Sequence, residues 1–357
     1  MKILHIYNNY YPPTFGGIEK HLNTLCEGLK DRFQIEVLTA GKNFVPVTEI
    51  INGVRVTRAG SLLAVQSAPI SPAMPHFLKK SDAEILHFQL PCPTAMASYF
   101  IARAKGRVIA TYQSDIVRQK WAMPLYAPLL NKFLERCDRI IVTSPNYIEI
   151  SPFLQRFKEK CVVIPIGIDI SNFHYAEPKK PNVLFVGRLR YYKGLEYLIQ
   201  AMTEVNAELN IVGTGSEEQK LKALTAKLNL SAKIHFLGDI AENELPKYYA
   251  NCSVFTLPSI FKTEAFGISQ LEAMASAKPI VSTSLGTGVD WINQNGTTGF
   301  TVPPKKARAL SDALNTILSD NTLRQRLGKA ARNRTEQYFS KEIMLEKISA
   351  IYQQTAF

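Results

Sequence analysis

"CSVFTLPSIFKTEAFGISQLEAMASAKPIVST", residues 252–283, packs a strand, a loop, a helix and a second strand into one run. "CSVFTLP" and "KPIVST" are short β-branched stretches, and "GISQLEAMASA" between them reads as a helix starting near Phe266 or Gly267. Strand–helix–strand is the repeating unit of a parallel sheet. Two carboxylates interrupt this otherwise buried-looking run. Glu264 falls in the loop before the helix and Glu272 on its second turn. Acidic side chains are almost never fully buried without a partner. Either both face solvent, or they line a cleft where a ligand engages them.

Outward from this stretch the same alternation fills the chain. "KILHIY", "IEVLT", "VRVTR", "EILHF", "RVIATY", "RIIVTS" and "CVVIP" are strand candidates before residue 167. Helix-length segments such as Ile18 to Lys30 and Leu125 to Arg136 lie between several of them. "NVLFVG", "ELNIVG", "KIHFLG" and "TGFTVP" restart the pattern, and helical segments at 305–319, 321–337 and 341–354 close it. "GIDISNFHYAEPKKPN", 167–182, is polar and non-periodic and reads as a linker. A chain of 357 residues exceeds one core and suits two domains. The expectation is an α/β protein of two doubly wound, Rossmann-like domains facing each other across a cleft.

Composition narrows the function. The five cysteines are scattered without a C-x-x-C pair, a reduced, cytosolic pattern. The N-terminal apolar run is too short for a signal peptide, and prolines and serines break the uncharged stretch 59–75. A net charge of +12 points to polyanionic partners: nucleic acid, an anionic bilayer or phosphorylated small molecules. No base-stacking or helix-turn-helix signature supports nucleic acid, so none is expected as a partner.

Three glycine-bearing loops could meet phosphate. In "YNNYYPPTFGGIEKH", Gly16 and Gly17 precede a helix, whose free N–H groups and positive dipole end favour an anion; a merely flexible loop is the alternative. In "LFVGRLRYYKGLEYLI" a strand ends at Gly187, and Arg188 and Lys193 flank the turn into a helix near Gly194. These two cations either neutralise a diphosphate or are solvated surface charges, and in neither case are they expected to carry core. "IVGTGSEEQKLK" repeats the design with Gly213 and Gly215, but the third Rossmann glycine is missing, which argues against a dinucleotide. Around the opening stretch, the amides of Ala265, Phe266 and Gly267 and the carboxylates of Glu264 and Glu272 together suit a sugar or a ribose.

At these residues the sequence resembles the family-4 retaining glycosyltransferases of GT-B fold. "GGIEKH", "VGRLRYYKG", "IVGTGSEEQKL", "KTEAFGISQLEAMASAKPIV" and "NGTTGFTVPP" carry the resemblance nearly end to end, with the E-x7-E pair Glu264/Glu272 the most specific. "TSLGTGVDWINQNGTTGFTVPP" is further similar to bacterial enzymes of O-antigen and exopolysaccharide synthesis, several of them mannosyltransferases using GDP-mannose. The resemblance implies an acceptor-binding domain at 1–170, with a last helix at about 341–357 packing back on it, and a donor-binding domain at 171–340. It implies transfer of a hexose from a GDP- or UDP-linked sugar to a polyprenyl-diphosphate-linked or other glycan. It places Arg188 and Lys193 on the diphosphate with help from Gly17, Glu264 and the Phe266 and Gly267 amides on the sugar, and Glu272 on the ribose. No cofactor and no divalent metal are implied, and no D-x-D is present to hold one. One departure is Gln113, in "VIATYQSDIVRQKW", where relatives carry an active-site His: either that His is no acid or base, or His87 in "ILHFQLP" takes part of its work rather than sitting satisfied in the core, or activity is reduced. A same-fold epimerase is the nearest rival. In "DIVRQKWAMPLYAPLLNKFLERC", Arg118, Lys120 and Trp121 adjoin an apolar stripe of Met123, Leu125, Tyr126, Leu129 and Leu130. That stripe is either core or an edge for an anionic membrane surface, which would put the enzyme in the cytoplasm, peripheral at the inner face of the membrane.

Overall fold

The computed structural model describes residues 1–12, 16–41, 43–65, 68–115 and 123–356. It divides into two compact α/β units, Met1–Ile166 with Glu342–Phe357, and Gly167–Lys341.

The first unit carries β1 Lys2–Tyr7, β2 Gln34–Thr39, β3 Val47–Ile51, β4 Val54–Arg58, β5 Leu63–Val65, β6 Ala68–Ile70, β7 Ile85–Leu90, β8 Arg107–Tyr112, β9 Arg139–Val142 and β10 Cys161–Val163. Eight of them form one sheet in the order β10–β9–β8–β7–β1–β2–β4–β3. All its pairs are parallel except β3 with β4; β5 and β6 pair apart as a hairpin. The central strands are buried along almost their whole length, which is why they read as unbroken apolar runs rather than as alternation.

The second unit follows with β11 Asn182–Val186, β12 Glu208–Val212, β13 Ile234–Gly238, β14 Val254–Leu257, β15 Ile280–Thr283 and β16 Gly299–Val302. Their order is β13–β12–β11–β14–β15–β16, parallel at every pair. This is the doubly wound Rossmann order, reversing direction between β11 and β14. The segment read as a linker belongs to this unit and is pinned to it. Lys341 Nζ meets Asp169 at 2.7 Å, Arg332 donates to the Phe173 carbonyl at 2.9 Å, and buried Lys278 donates to the Ala176 carbonyl at 2.6 Å.

The last helix, Lys341–Ala356, is tied into the core of the first unit by a buried polar cluster. Tyr352 Oη lies 2.6 Å from His87 Nδ1 and 3.3 Å from His5 Nε2, and His87 Nε2 lies 2.7 Å from Thr111 Oγ1. His5 and His87 are register partners on β1 and β7, with ring centroids 4.8 Å apart. Nearby His21 is buried with neither ring nitrogen hydrogen-bonded. Burial pushes all three imidazoles down: His5 to about 3, His21 to about 4 and His87 well below its ordinary value.

These histidines are neutral when folded, whereas the unfolded chain takes up protons below its ordinary value of 6.5. Stability is therefore complete above that pH and falls on acidification. Each histidine removes about 1.4 kcal/mol per pH unit until the folded protein can protonate too, at about 4 for His21. Urea unfolding between about pH 7 and about pH 5 measures the slope, and His21→Leu is expected to flatten it by one histidine's share. An unchanged slope would mean His21 is not buried neutral.

Candidate active site

Because β11 runs on to β12 and β14 to β15, the connections leave the carboxyl ends of these two neighbours in opposite directions. That geometry opens a crevice above the sheet. The β11 loop supplies Gly187 and Arg188, the 3-10 turn Tyr191–Lys193, Gly194 and then the helix Leu195–Ala201. The β14 loop supplies Glu264 and leads through Gly267 into the helix Ile268–Ala275. Sequence-distant candidates thus meet at one point of one unit.

Lys193 Nζ and Glu264 Oε2 lie 2.5 Å apart, each side chain only 10% exposed. Of the two alternatives the sequence leaves for Lys193, the solvated surface charge is ruled out: it is half of a desolvated ion pair. Burial alone would depress the Lys193 ammonium; the facing Glu264 carboxylate outweighs it, so Lys193 ends above its ordinary value and stays cationic. The Ser259 hydroxyl donates to the same carboxylate oxygen at 2.9 Å, and Thr287 Oγ1 holds the Glu264 carbonyl at 2.9 Å. Thr287 is itself fixed by a capping box with Asp290 at the start of the helix Gly288–Ile292. Arg188 is exposed just beyond β11, near enough for its charge to act on Lys193.

Glu272, half-buried on the second turn of Ile268–Ala275, accepts a hydrogen bond from Tyr249 Oη at 2.6 Å. Burial first, and Glu272 second, hold that phenol far above its usual range, so it remains a donor. Gly267 caps the helix at φ 80°, a conformation that favours glycine, and Phe266 is buried beside it. The Ala265 carbonyl accepts from the Gly288 N–H at 2.9 Å. Gly213 and Gly215 have a packing reason to be glycine. A Cβ on either would lie 2.3 Å and 2.2 Å from the Gly187 and Leu189 carbonyl oxygens, so both are there to let the β12 loop seat the β11 loop.

In the first unit, Gly16 and Gly17 do open a helix, Gly17–Leu29. Its first turn already holds a carboxylate: buried Glu19 folds back against Gly16. Gln113, just past the carboxyl end of β8, is buried and donates through Nε2 to Gln89 Oε1 at 3.1 Å. His87 does not join it. Fully buried in mid-strand, with both ring nitrogens engaged by Tyr352 and Thr111, it cannot reach a ligand, and its candidacy as an acid/base is corrected to core. Ser259, Thr287 and Tyr249 went unread. Thr287 had a signal, the T-x-x-D capping box; Ser259 and Tyr249 had none before the chain folded.

Two family models match the chain, Glycosyltransferase Family 4 over residues 15–172 and Glycosyl transferases group 1 over residues 168–334. It is 33% identical to the O-antigen chain mannosyltransferase C of Escherichia coli across 99% of this chain and 98% of that one. The chain belongs to the family-4 retaining glycosyltransferases. The glycosyltransferase is also 33% identical to the D-rhamnosyltransferase WbpZ of Pseudomonas aeruginosa, over 95% of its own length and 92% of the relative's. Sucrose-phosphate synthase from Thermosynechococcus elongatus superposes with a TM-score of 0.85 at 25% identity, covering 99% and 98% of the two chains. The Anabaena HepE protein, solved with UDP, gives 0.80 at 20% identity, covering 99% of this chain and 100% of that one. The fold is GT-B.

Breaking the pair from one side should cost more than breaking it from both. Lys193→Met leaves the Glu264 carboxylate buried without its cation and should destabilise the glycosyltransferase by about 3–5 kcal/mol in urea unfolding. Adding Glu264→Gln should recover a large part of that loss. Additive losses in the double variant would show that the two side chains do not depend on each other.

Proposed function

We propose that the enzyme moves a hexose, with retention, from a nucleotide sugar to a hydroxyl of a lipid-linked glycan during surface-polysaccharide assembly, with mannose from GDP-mannose as the donor. The observation that carries this reading is the buried Lys193–Glu264 pair beside Arg188 at the strand-order reversal of the second unit. The enzyme's similarity to the O-antigen mannosyltransferase and D-rhamnosyltransferase relatives supports it.

On this reading the second unit holds the donor and the first unit the acceptor. Arg188 and Lys193 neutralise the departing diphosphate, Arg188 by a fork of donors and Lys193 as a point charge. Glu264, fixed by Lys193 and Ser259, accepts from hydroxyls of the transferred sugar, and the Phe266 and Gly267 amides complete that pocket. Glu272, held by Tyr249, accepts from the ribose. The incoming hydroxyl attacks on the face the leaving group departs from, and the diphosphate oxygen takes its proton. The protein contributes position and charge. Since the chain's own cations supply the positive charge, no divalent metal is required.

The test is transfer to a cell-derived lipid-linked acceptor from a panel of intact GDP- and UDP-linked hexoses, followed by mass spectrometry. Product is expected with GDP-mannose and unchanged in EDTA, and Lys193→Ala should lower turnover about 10²–10³-fold. Isomerised donor without any acceptor would favour the epimerase instead. Activity lost in EDTA and restored by Mg²⁺ would overturn the metal-free reading.

The same reading places the enzyme peripherally on the anionic inner face of the cytoplasmic membrane. Arg118, Lys120 and Trp121 lie outside the described residues. Of the stripe beyond them, the helix Met123–Arg136 turns Tyr126 and Leu130 into the core and leaves Leu125 81% exposed. Ile101, on the neighbouring helix Pro93–Ala102, is 71% exposed, and Lys132 Nζ sits 5.2 Å from the adjacent Phe100 ring. Two protruding aliphatic residues beside cations suit an anionic bilayer surface. Among the described residues no helix is long and apolar enough to cross a membrane. Sedimentation with anionic vesicles should show binding that weakens with salt and falls in Leu125→Glu with Ile101→Glu; binding unaffected by either would remove this face from the interface.

A further inference from the structure

The two loops that bring Lys193 and Glu264 together carry a second set of side chains. Tyr191 lies on the same turn as Lys193, and Phe261 on the same loop as Glu264. The loops are joined by their backbones, the Ile260 N–H donating to the Tyr192 carbonyl at 2.8 Å. Tyr191 and Phe261 remain 38% and 39% exposed, with ring centroids 5.6 Å apart and planes tilted by 59°. Together with Arg190, Glu196, Lys220 and Lys305 they line a pocket of about 240 Å³.

The polar groups of this pocket divide into two kinds. Lys220 is paired with Glu196 at 3.3 Å and Glu217 at 3.8 Å. Arg190 touches the Ser216 hydroxyl at 3.4 Å, and Lys305 Nζ lies 4.9 Å from the Phe261 ring centroid. Among the described residues, no carboxylate stands within ion-pair distance of Arg190 or Lys305. The pocket therefore combines two aromatic faces, two carboxylates that share one lysine and two cations with donors to spare.

That combination selects among ligands. Inorganic phosphate would use the cations and waste the aromatic pair. A nucleic-acid strand would meet the Glu196 and Glu217 carboxylates. The volume of about 240 Å³ lies below the roughly 300–1,000 Å³ typical of sites for drug-sized ligands, a size that suits a single sugar ring. A pyranose fits each feature: an apolar C–H face for Tyr191 and Phe261, and hydroxyls that accept from Arg190 and Lys305 and donate to the carboxylates. We propose that this pocket binds a sugar ring of the glycan being extended, other than the ring that reacts. The inference rests on the reading of the enzyme as a glycan-extending mannosyltransferase. It adds a glycan subsite on the donor-side unit, built from the same two loops that present Lys193 and Glu264.

The experiment is a titration of the full chain with α-linked mannotetraose, followed by saturation-transfer NMR and calorimetry, with GDP, UDP and inorganic diphosphate in separate arms. The wild-type protein should bind the tetraose with a dissociation constant on the order of 1 mM or tighter. Phe261→Ala and, independently, Tyr191→Ala should weaken it about tenfold, while the nucleotide diphosphates bind as before. With a native acceptor the same variants should raise KM for long glycans and leave kcat unchanged. No tetraose binding, binding indifferent to both variants, or complete displacement by inorganic diphosphate would each overturn the proposal. Nucleotide binding without tetraose binding would sink the subsite and leave the transferase reading standing. Tetraose binding that depends on Phe261, without nucleotide binding, would do the reverse.

Discussion

The strand order β13–β12–β11–β14–β15–β16 is the constraint from which the rest of the second unit follows. A parallel sheet wound outward in both directions has one place where consecutive connections part, and only there can two loops approach across an open crevice. The β11 and β14 loops are those two. Each brings one charge, and the charges meet at 2.5 Å in a nearly dry setting. Taking both ions out of water costs several kcal/mol each, and the mutual attraction repays this only with good geometry and further hydrogen bonds. Ser259 on the carboxylate and Thr287 on the Glu264 backbone supply those bonds. A pair this expensive is a poor way to stabilise a sheet. It is a good way to hold a carboxylate and an ammonium in fixed positions before a ligand arrives.

Much of this was legible in the sequence because parallel strands buried on both faces appear as short, dense β-branched runs. The central strands β11, β14 and β15 of the second unit announce themselves so, while its edge strands β13 and β16 are only half-buried. The first unit was less readable at its edge. In β3, Val47 to Ile50 are exposed, so no buried run marks it, and β5 and β6 are three residues each. The segment 167–182, read as a linker, is better ordered than its composition suggests. Its polar composition is genuine, but long-range contacts from Lys278, Arg332 and Lys341 order it.

The site shows the same divide. Glu264 and Glu272 stood out since two acids in an apolar strand–helix run demand an explanation. What Lys193 does could not be read from its own neighbourhood. Its partner lies in another loop, and the difference between a solvated cation and a buried one is made by tertiary packing. His87 failed for the opposite reason. A histidine in a strand looks chemically available until the fold shows that both faces of β7 are covered and that Tyr352, from the far end of the chain, occupies its Nδ1. Gly213 and Gly215 read as ligand contacts in sequence, and the fold adds a separate reason for glycine there, the approach of the β12 loop to the β11 loop, which a spacing pattern cannot reveal.

Gln113 connects this geometry to the proposed chemistry. At the carboxyl ends of β7 and β8 the first unit places two amides, Gln89 and Gln113, joined at 3.1 Å. Neither can titrate, and the nearest histidine with a strand register there, His87, is neutral and enclosed. A mechanism that needed this unit to deliver or remove a proton at neutral pH would get none from the amide pair or from His87 and would turn to a group such as Asp115, two residues past Gln113, whose carboxylate accepts from the Tyr112 and Ser151 hydroxyls. One in which the departing diphosphate accepts the proton asks only for orientation and for charge on the leaving group. The amide pair can orient a hydroxyl, and Lys193, kept cationic by Glu264, can stabilise the charge. On the proposed mechanism an amide at position 113 is compatible with transfer, because the leaving group and not this side chain takes the proton.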